Sequence, residues 1–170
     1  MTTSDDGIFR RLLDYREDVF RVCLGIARNA ADAEDLCQDV FLKALARADD
    51  IRQPGALRVW LLRIARTTCL DHFRRRRRFL TVPVEDVPDP STADVRSPDS
   101  ISATAEDVRR LKDAIGRLPR KQREVLVLRE YGGLSYEDLS RTLNLRPGTV
   151  MSRLNRARLA VVSAMEESHE

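Results

Sequence analysis

A chain of 170 residues has room for one domain or two small ones, and 42% hydrophobic content is enough to pack a core, which excludes wholesale disorder. Aromatic residues make up only 5% and charged residues 34%, a balance that favours helices over sheets. The net charge of +3 is unevenly spread: residues 1–78 carry 16 basic and 12 acidic side chains, residues 79–104 one against five, and residues 105–170 13 against 10.

Two basic flanks around an acidic middle suggest a polyanionic partner, of which nucleic acid is the commonest. Only Lys43, Lys112 and Lys121 are lysines. Arginine suits forked contacts to phosphate or guanine, although a GC-rich genome would produce the same bias. The N-terminal MTTSDDGIFRR has no apolar signal core and no run approaches a membrane span, so a cytoplasmic protein without membrane insertion is expected. Cys23, Cys37 and Cys69 form no CxxC pair, and neither His72 nor His169 lies at a zinc-site spacing. The thiols read as buried small hydrophobes, and no metal or other cofactor is expected.

From Ile8 to about Arg78 the apolar residues recur at helical spacing. Leu12, Val19, Val22, Leu24 and Ile26 mark one helix ending near Asn29. A second runs from about Asp32 to Arg47 with Ala33, Leu36, Cys37, Val40 and Ala44 on one face. Asp49 to Gly55 interrupts the pattern with a Pro-Gly turn signal. A third helix carries Leu57, Trp60, Leu61, Ile64, Ala65, Cys69 and Leu70, with Trp60 as a core anchor.

Residues 79–104 place Pro83, Pro88, Pro90 and Pro98 among Asp and Ser without a period. Such a segment cannot bury enough surface to offset its ordering entropy, and a flexible acidic linker is expected. Helical spacing returns with Val108, Leu111, Ala114, Ile115 and Leu118. Pro119 suits the first turn of a further helix, which buries Val125, Leu126 and Leu128 and is broken by Gly132-Gly133. The fold class expected is all-α, with two small helical domains at residues 1–78 and 105–170.

Leu134 to Leu159 has the pattern of a helix-turn-helix. Ser135 with Asp138 three residues later makes a capping-box-like start. Leu139 and Leu143 form the buried face of a short helix, Asn144 tolerates the positive φ of a sharp turn, and Leu145 plugs it. Pro147-Gly148-Thr149 opens the second helix, whose Val150 and Leu154 point inward. Thr149, Met151, Ser152, Arg153, Asn155 and Arg156 are left outside, where a recognition helix needs polar groups for base edges. Arg141, Arg146, Arg153, Arg156 and Arg158 stud residues 141–160, which contain no acid. An ordinary helical hairpin with a solvated basic face is the bland alternative.

The segment LPRKQREVLVLREYGGLSYEDLSRTLNLRPGTVMSRLNRARLAV resembles region four of bacterial sigma factors. AADAEDLCQDVFLKALARADDI and WLLRIARTTCLDHFRRRRR resemble parts of region two. In this order, with a variable linker and no region three between them, these blocks resemble the extracytoplasmic-function (ECF) sigma factors over about residues 10–78 and 105–162.

The resemblance implies an alternative sigma factor that binds core RNA polymerase, directs it to promoter DNA, and performs no chemistry itself. The second helix sets Asp32, Asp35 and Asp39 on one face, with Glu34 and Gln38 beside them. Spacing alone makes this a solvated face; the resemblance makes it, with Phe41, the grip on a coiled coil of the polymerase. It also implies minus-ten contacts from Ile51, Arg52 and Gln53 of the loop, which would hold a flipped base. Arg63, Arg66, Thr67, Asp71, Arg74 and Arg75 of the third helix would hold phosphates and neighbouring bases. Minus-thirty-five contacts would come from Arg141, Arg146, Pro147 and Gly148, and from Thr149, Met151, Ser152, Arg153, Asn155 and Arg156.

Thr67 departs from a family Asn, Met151 from a Lys, and Asn144 from a turn Gly. Asn155 could pair with adenine in a forked manner, so a distinctive promoter sequence is expected. The family further implies an anti-sigma factor as partner, and no appended domain is expected after about Val162. A helix-turn-helix repressor acting without polymerase leaves the N-terminal half unexplained. An interaction protein that sequesters a regulator would need no DNA.

Overall fold

The computed structural model describes residues 3–48, 56–79 and 105–167, and within these every regular element is a helix. The first group comprises α1 (Thr3–Leu13), α2 (Arg16–Ala27), α3 (Ala30–Leu45) and α4 (Leu57–Phe79). The second comprises α5 (Ala105–Arg117), α6 (Arg120–Glu130), α7 (Tyr136–Leu143) and α8 (Pro147–Glu167). Most of the linker expected at 79–104 lies outside the described residues, as does the loop that holds Ile51, Arg52 and Gln53.

The single helix expected up to Asn29 is two helices. The chain breaks at Asp14-Tyr15, where Tyr15 donates its N–H to the Leu12 carbonyl at 3.1 Å and starts α2 with its own carbonyl. Glu17 and Asp18 then fall in the first turn of α2, where acids complement the exposed N–H groups. Apolar periodicity survives this break because Leu12 on α1 and Val19 on α2 enter the same core.

Arg28 ends α2 in the left-handed region at φ 63°, and the Asn29 side chain accepts from the Asp32 N–H at 3.0 Å to start α3. Packing of α2, α3 and α4 buries Val22, Cys23, Ile26, Leu36, Val40, Leu61 and Ala65. Trp60 is partly buried against this core, in line with the anchor role expected of it. In the second group α8 packs against α5, α6 and α7 around Leu118, Leu128, Leu139, Val150 and Leu154. Leu111 departs from the expected core face: it is exposed and lines an apolar groove with Ile115, Leu126 and Val161.

The two groups also touch. Helix α6 packs against α2, and the turn after it reaches α4, so that Leu62 and Val127 are both buried.

Candidate polymerase and nucleic-acid interfaces

Helix α3 presents two unlike faces. Ala33, Leu36, Cys37, Val40 and Ala44 face the core, whereas Glu34, Asp35, Gln38 and Asp39 are exposed. Asp32 is set apart from them. Its carboxylate accepts from Arg76 of α4 at 3.2 Å and has the His72 ring nitrogen 3.8 Å away. Phe41, expected on the outer surface, belongs to the core at 9% exposure. The exposed apolar residue is its neighbour Leu42, at 65%. Leu42 follows Asp35 and Gln38 at i+7 and i+4, on the same stripe as the acids. Composition alone assigns a leucine to the core; the signal that finds this one is its offset by one place from Phe41.

Helix α4 lays out its polar residues in two stripes. Arg63, Thr67, Asp71 and Arg74 recur on one side. Thr67 spends its hydroxyl on the Arg63 and Ile64 carbonyls, at 3.1 and 2.9 Å. Asp71 pairs with Arg74 at 3.3 Å, and Arg75 is exposed. Arg58, Leu62 and Arg66 recur on the other stripe. Arg66 donates its Nε to Glu124 Oε2 of α6 at 3.2 Å.

The α7–α8 unit has helix-turn-helix geometry. Ser135 Oγ accepts from the Asp138 N–H at 3.1 Å and donates to the Asp138 carboxylate at 2.6 Å, closing the N-terminus of α7. Asn144 takes φ 52° and ψ 51° and so turns the chain sharply enough for α8 to begin at Pro147. The Arg146 carbonyl accepts from Thr149 and Val150, nucleating α8. Val150, Leu154 and Ala157 are buried, which leaves Met151, Ser152, Asn155 and Arg156 exposed, with Thr149 and Arg153 half-exposed.

Tyr136, Gly148, Met151, Ser152 and Asn155 line an open cleft of about 540 Å³ beside this face. Arg141 is tied to Glu137 and Asp138, whereas Arg146, Pro147 and Gly148 lie exposed at the tip of the turn. Arg158 is drawn aside by Glu130 at 2.7 Å, and its guanidinium is pushed up by that bond. Arg129 lies 5.0 Å from the Tyr136 ring centre, a cation–π contact that steadies the start of α7.

Cys23, Cys37 and Cys69 are buried free thiols. The Cys23 thiol is pushed up by its contact with Cys69 and by burial, and the Cys37 thiol by burial, which keeps both protonated and poorly nucleophilic. Among the described residues no group of His, Cys, Asp or Glu is placed to hold a metal ion. No helix among them is long and apolar enough to cross a membrane.

Comparison with known proteins assigns both groups. Sigma-70 region 2 matches residues 12–79, and Sigma-70 region 4 matches residues 109–161. The RNA polymerase sigma-H factor of Pseudomonas aeruginosa is 32% identical over 162 residues, covering 91% of this chain and 84% of that protein. The chain belongs to the ECF sigma factors of the sigma-70 family. The ECF RNA polymerase sigma factor SigM of Mycobacterium tuberculosis is 35% identical over 153 residues, 90% of this sigma factor and 72% of the relative.

The sigma factor RpoE of Bartonella quintana, solved in complex with the anti-sigma factor NepR, superposes with a TM-score of 0.78 at 27% identity. The match covers 92% of this chain and 95% of that one. CnrH, solved with the cytosolic domain of CnrY, shares the fold with a TM-score of 0.61 at 24% identity. As a member of this family the sigma factor is a transcription initiation factor and not an enzyme.

Proposed function

We propose that this sigma factor, in the cytoplasm, joins core RNA polymerase through α3, engages an opened minus-ten strand through α4, and reads a minus-thirty-five element through α8. The observation that carries this reading is the coexistence, in one chain, of an exposed acidic stripe on α3 and a helix-turn-helix with a polar outer face.

On α3 the docking residues are Glu34, Asp35, Gln38 and Asp39, with Leu42 supplying apolar area among the charges; Asp32 and Phe41 support the helix from behind. Acidic and amide side chains complement Arg-rich helices of a partner. On α4, Arg63, Arg66, Arg74 and Arg75 take phosphates, Thr67 and Asp71 border the strand, and Ile51, Arg52 and Gln53 capture a flipped base. On α8, Asn155, Ser152 and Arg153 face base edges while Arg141, Arg146 and the Pro147–Thr149 turn set the register on phosphates. Met151 and Arg156 flank that face.

The two modules, residues 1–78 and 105–170, are each weak DNA binders, and residues 79–104 couple them by effective concentration. A further partner is of the anti-sigma class, the class with which RpoE was solved, and it covers the polymerase-facing surfaces of this chain. Run-off transcription by core polymerase on fragments of the source genome tests this reading. Defined starts that vanish when Asp35 and Asp39 are both changed to Arg support it. Tight duplex binding by the protein alone, with no transcription, would leave the repressor in its place.

A further inference from the structure

A large apolar side chain stands on the outer side of the second helix of the helix-turn-helix. Met151, near the start of α8, is 59% exposed, although Val150, Leu154 and Ala157 already close the inner face. So exposed a methionine adds little to the packing of the chain and keeps apolar surface in water. Its neighbours give it a setting. Met151 lines the open cleft beside α8 together with Tyr136, Gly148, Ser152 and Asn155.

Tyr136 is the second apolar wall of that cleft, and it is held still. Arg129 lies 5.0 Å from its ring centre, and its hydroxyl faces Arg158, which Glu130 fixes at 2.7 Å. The residue is nevertheless 41% exposed, so part of the ring remains for a ligand. Gly148 leaves the cleft open. A Cβ at that position would meet nothing within 4 Å, so the space beside the backbone is free. The remaining lining, Ser152 and Asn155, is polar.

A cleft of this kind selects for a particular base. Base edges in the major groove offer donors and acceptors to polar side chains, and a single apolar group, the C5-methyl of thymine. Hydrogen-bonding side chains gain nothing from that methyl, whereas the soft, adaptable thioether of methionine packs against it. Met151 precedes Asn155 by one helical turn, which sets their Cβ atoms about 5–6 Å apart in one row. At that separation the two side chains reach neighbouring base pairs. Exposed Arg146 and Arg156 supply cations for the phosphates around them.

We propose that Met151 and Tyr136 seat the C5-methyl of a thymine in the minus-thirty-five element, beside the base pair that Asn155 reads. This contact presupposes the minus-thirty-five reading above and adds to it the base that the cleft selects.

Holoenzyme assembled from the full chain and core polymerase, on the strongest promoter found among fragments of the source genome, provides the test. Each thymine of the minus-thirty-five element is replaced singly by deoxyuridine, which removes the methyl and keeps every hydrogen-bonding group. Competition binding is expected to show one sensitive position, where uracil lowers affinity about three- to fivefold, the effect of burying one methyl. That position should adjoin the pair whose preference Asn155→Ala relaxes. Met151→Ala should bind thymine and uracil alike there, whereas Met151→Leu should keep the preference. Tyr136→Ala should shrink it, with thermal melts verifying that the second domain stays folded.

No thymine sensitive to loss of its methyl, or a uracil penalty undiminished in Met151→Ala, would overturn the methyl contact and leave the minus-thirty-five reading standing. A penalty lost in Met151→Ala but undiminished in Tyr136→Ala would overturn the two-walled seat. A chain that brings polymerase to no defined start would overturn the sigma reading itself, and the methyl contact with it.

Discussion

Arg76, near the end of α4, donates to the carboxylate of Asp32 at the start of α3 across 44 residues of sequence, at 3.2 Å. The contact fastens part of the arginine run to the first turn of α3 and removes Asp32 from the acidic face. Asp32→Ala is therefore expected to lower region-two stability by about 0.5–1 kcal/mol, as for a partly exposed ion pair. Asp35→Ala and Asp39→Ala should leave the melting temperature within a degree or so while reducing run-off transcription. Thermal melts at two salt concentrations, set beside transcription, separate the two classes.

Phe41 and Leu42 make a matched pair for the same question. Phe41→Ala empties part of the core and is expected to cost about 3–5 kcal/mol. Leu42→Lys touches no core group and should leave the urea midpoint nearly unchanged. Affinity for core polymerase, measured by competition against the parent protein, should fall at least tenfold for Leu42→Lys, while an equally stable Leu42→Met retains it.

Asn144 bears the left-handed turn between α7 and α8 at φ 52°. Asn144→Gly is expected to be neutral or slightly stabilising. Asn144→Val places a β-branched side chain at positive φ and should destabilise the second domain by about 1–2 kcal/mol. Urea titrations of the two variants check both signs.

Asn155 and Arg141 should fail differently on DNA. Asn155→Ala removes a candidate base contact and is expected to relax preference at one minus-thirty-five position by about 1–3 kcal/mol. Arg141→Ala should weaken all sequences alike and make the salt slope of binding shallower by about one. Holoenzyme binding to a promoter library at several salt concentrations distinguishes a base reader from a phosphate contact.

The thiols predict a pH dependence. Cys23 and Cys37 have pKa values raised above the ordinary thiol range, so the folded chain keeps protons that the unfolded chain releases. Their stabilising effect is fully present below the unfolded pKa of about 8.5 and is lost as pH rises above it. The urea midpoint should fall between pH 8 and pH 10, and Cys23→Ala, though less stable at neutral pH, should show a shallower fall. Alkylation at pH 8 should be slow in native protein and fast in urea.

Local regularities were legible in the sequence because they depend on neighbours a few residues away. Helical periodicity picked out the faces of α3 and α4, Ser135 and Asp138 announced the start of α7, and Asn144 announced the turn after it. The blocks around Asp35 and Thr149 carried the sigma resemblance for the same reason: their chemistry lies in short contiguous runs.

Tertiary structure decided what depends on residues distant in sequence. The break at Tyr15 was hidden because helices on both sides feed one core at the same spacing. The inward turn of Phe41 and the outward turn of Leu42 depend on the angle at which α3 meets α2 and α4. Arg66 looked like any basic residue of α4 until Glu124, 58 positions away, was found beside it. Apolar periodicity shows which stripe of a helix is buried, but which charges meet depends on how whole helices dock.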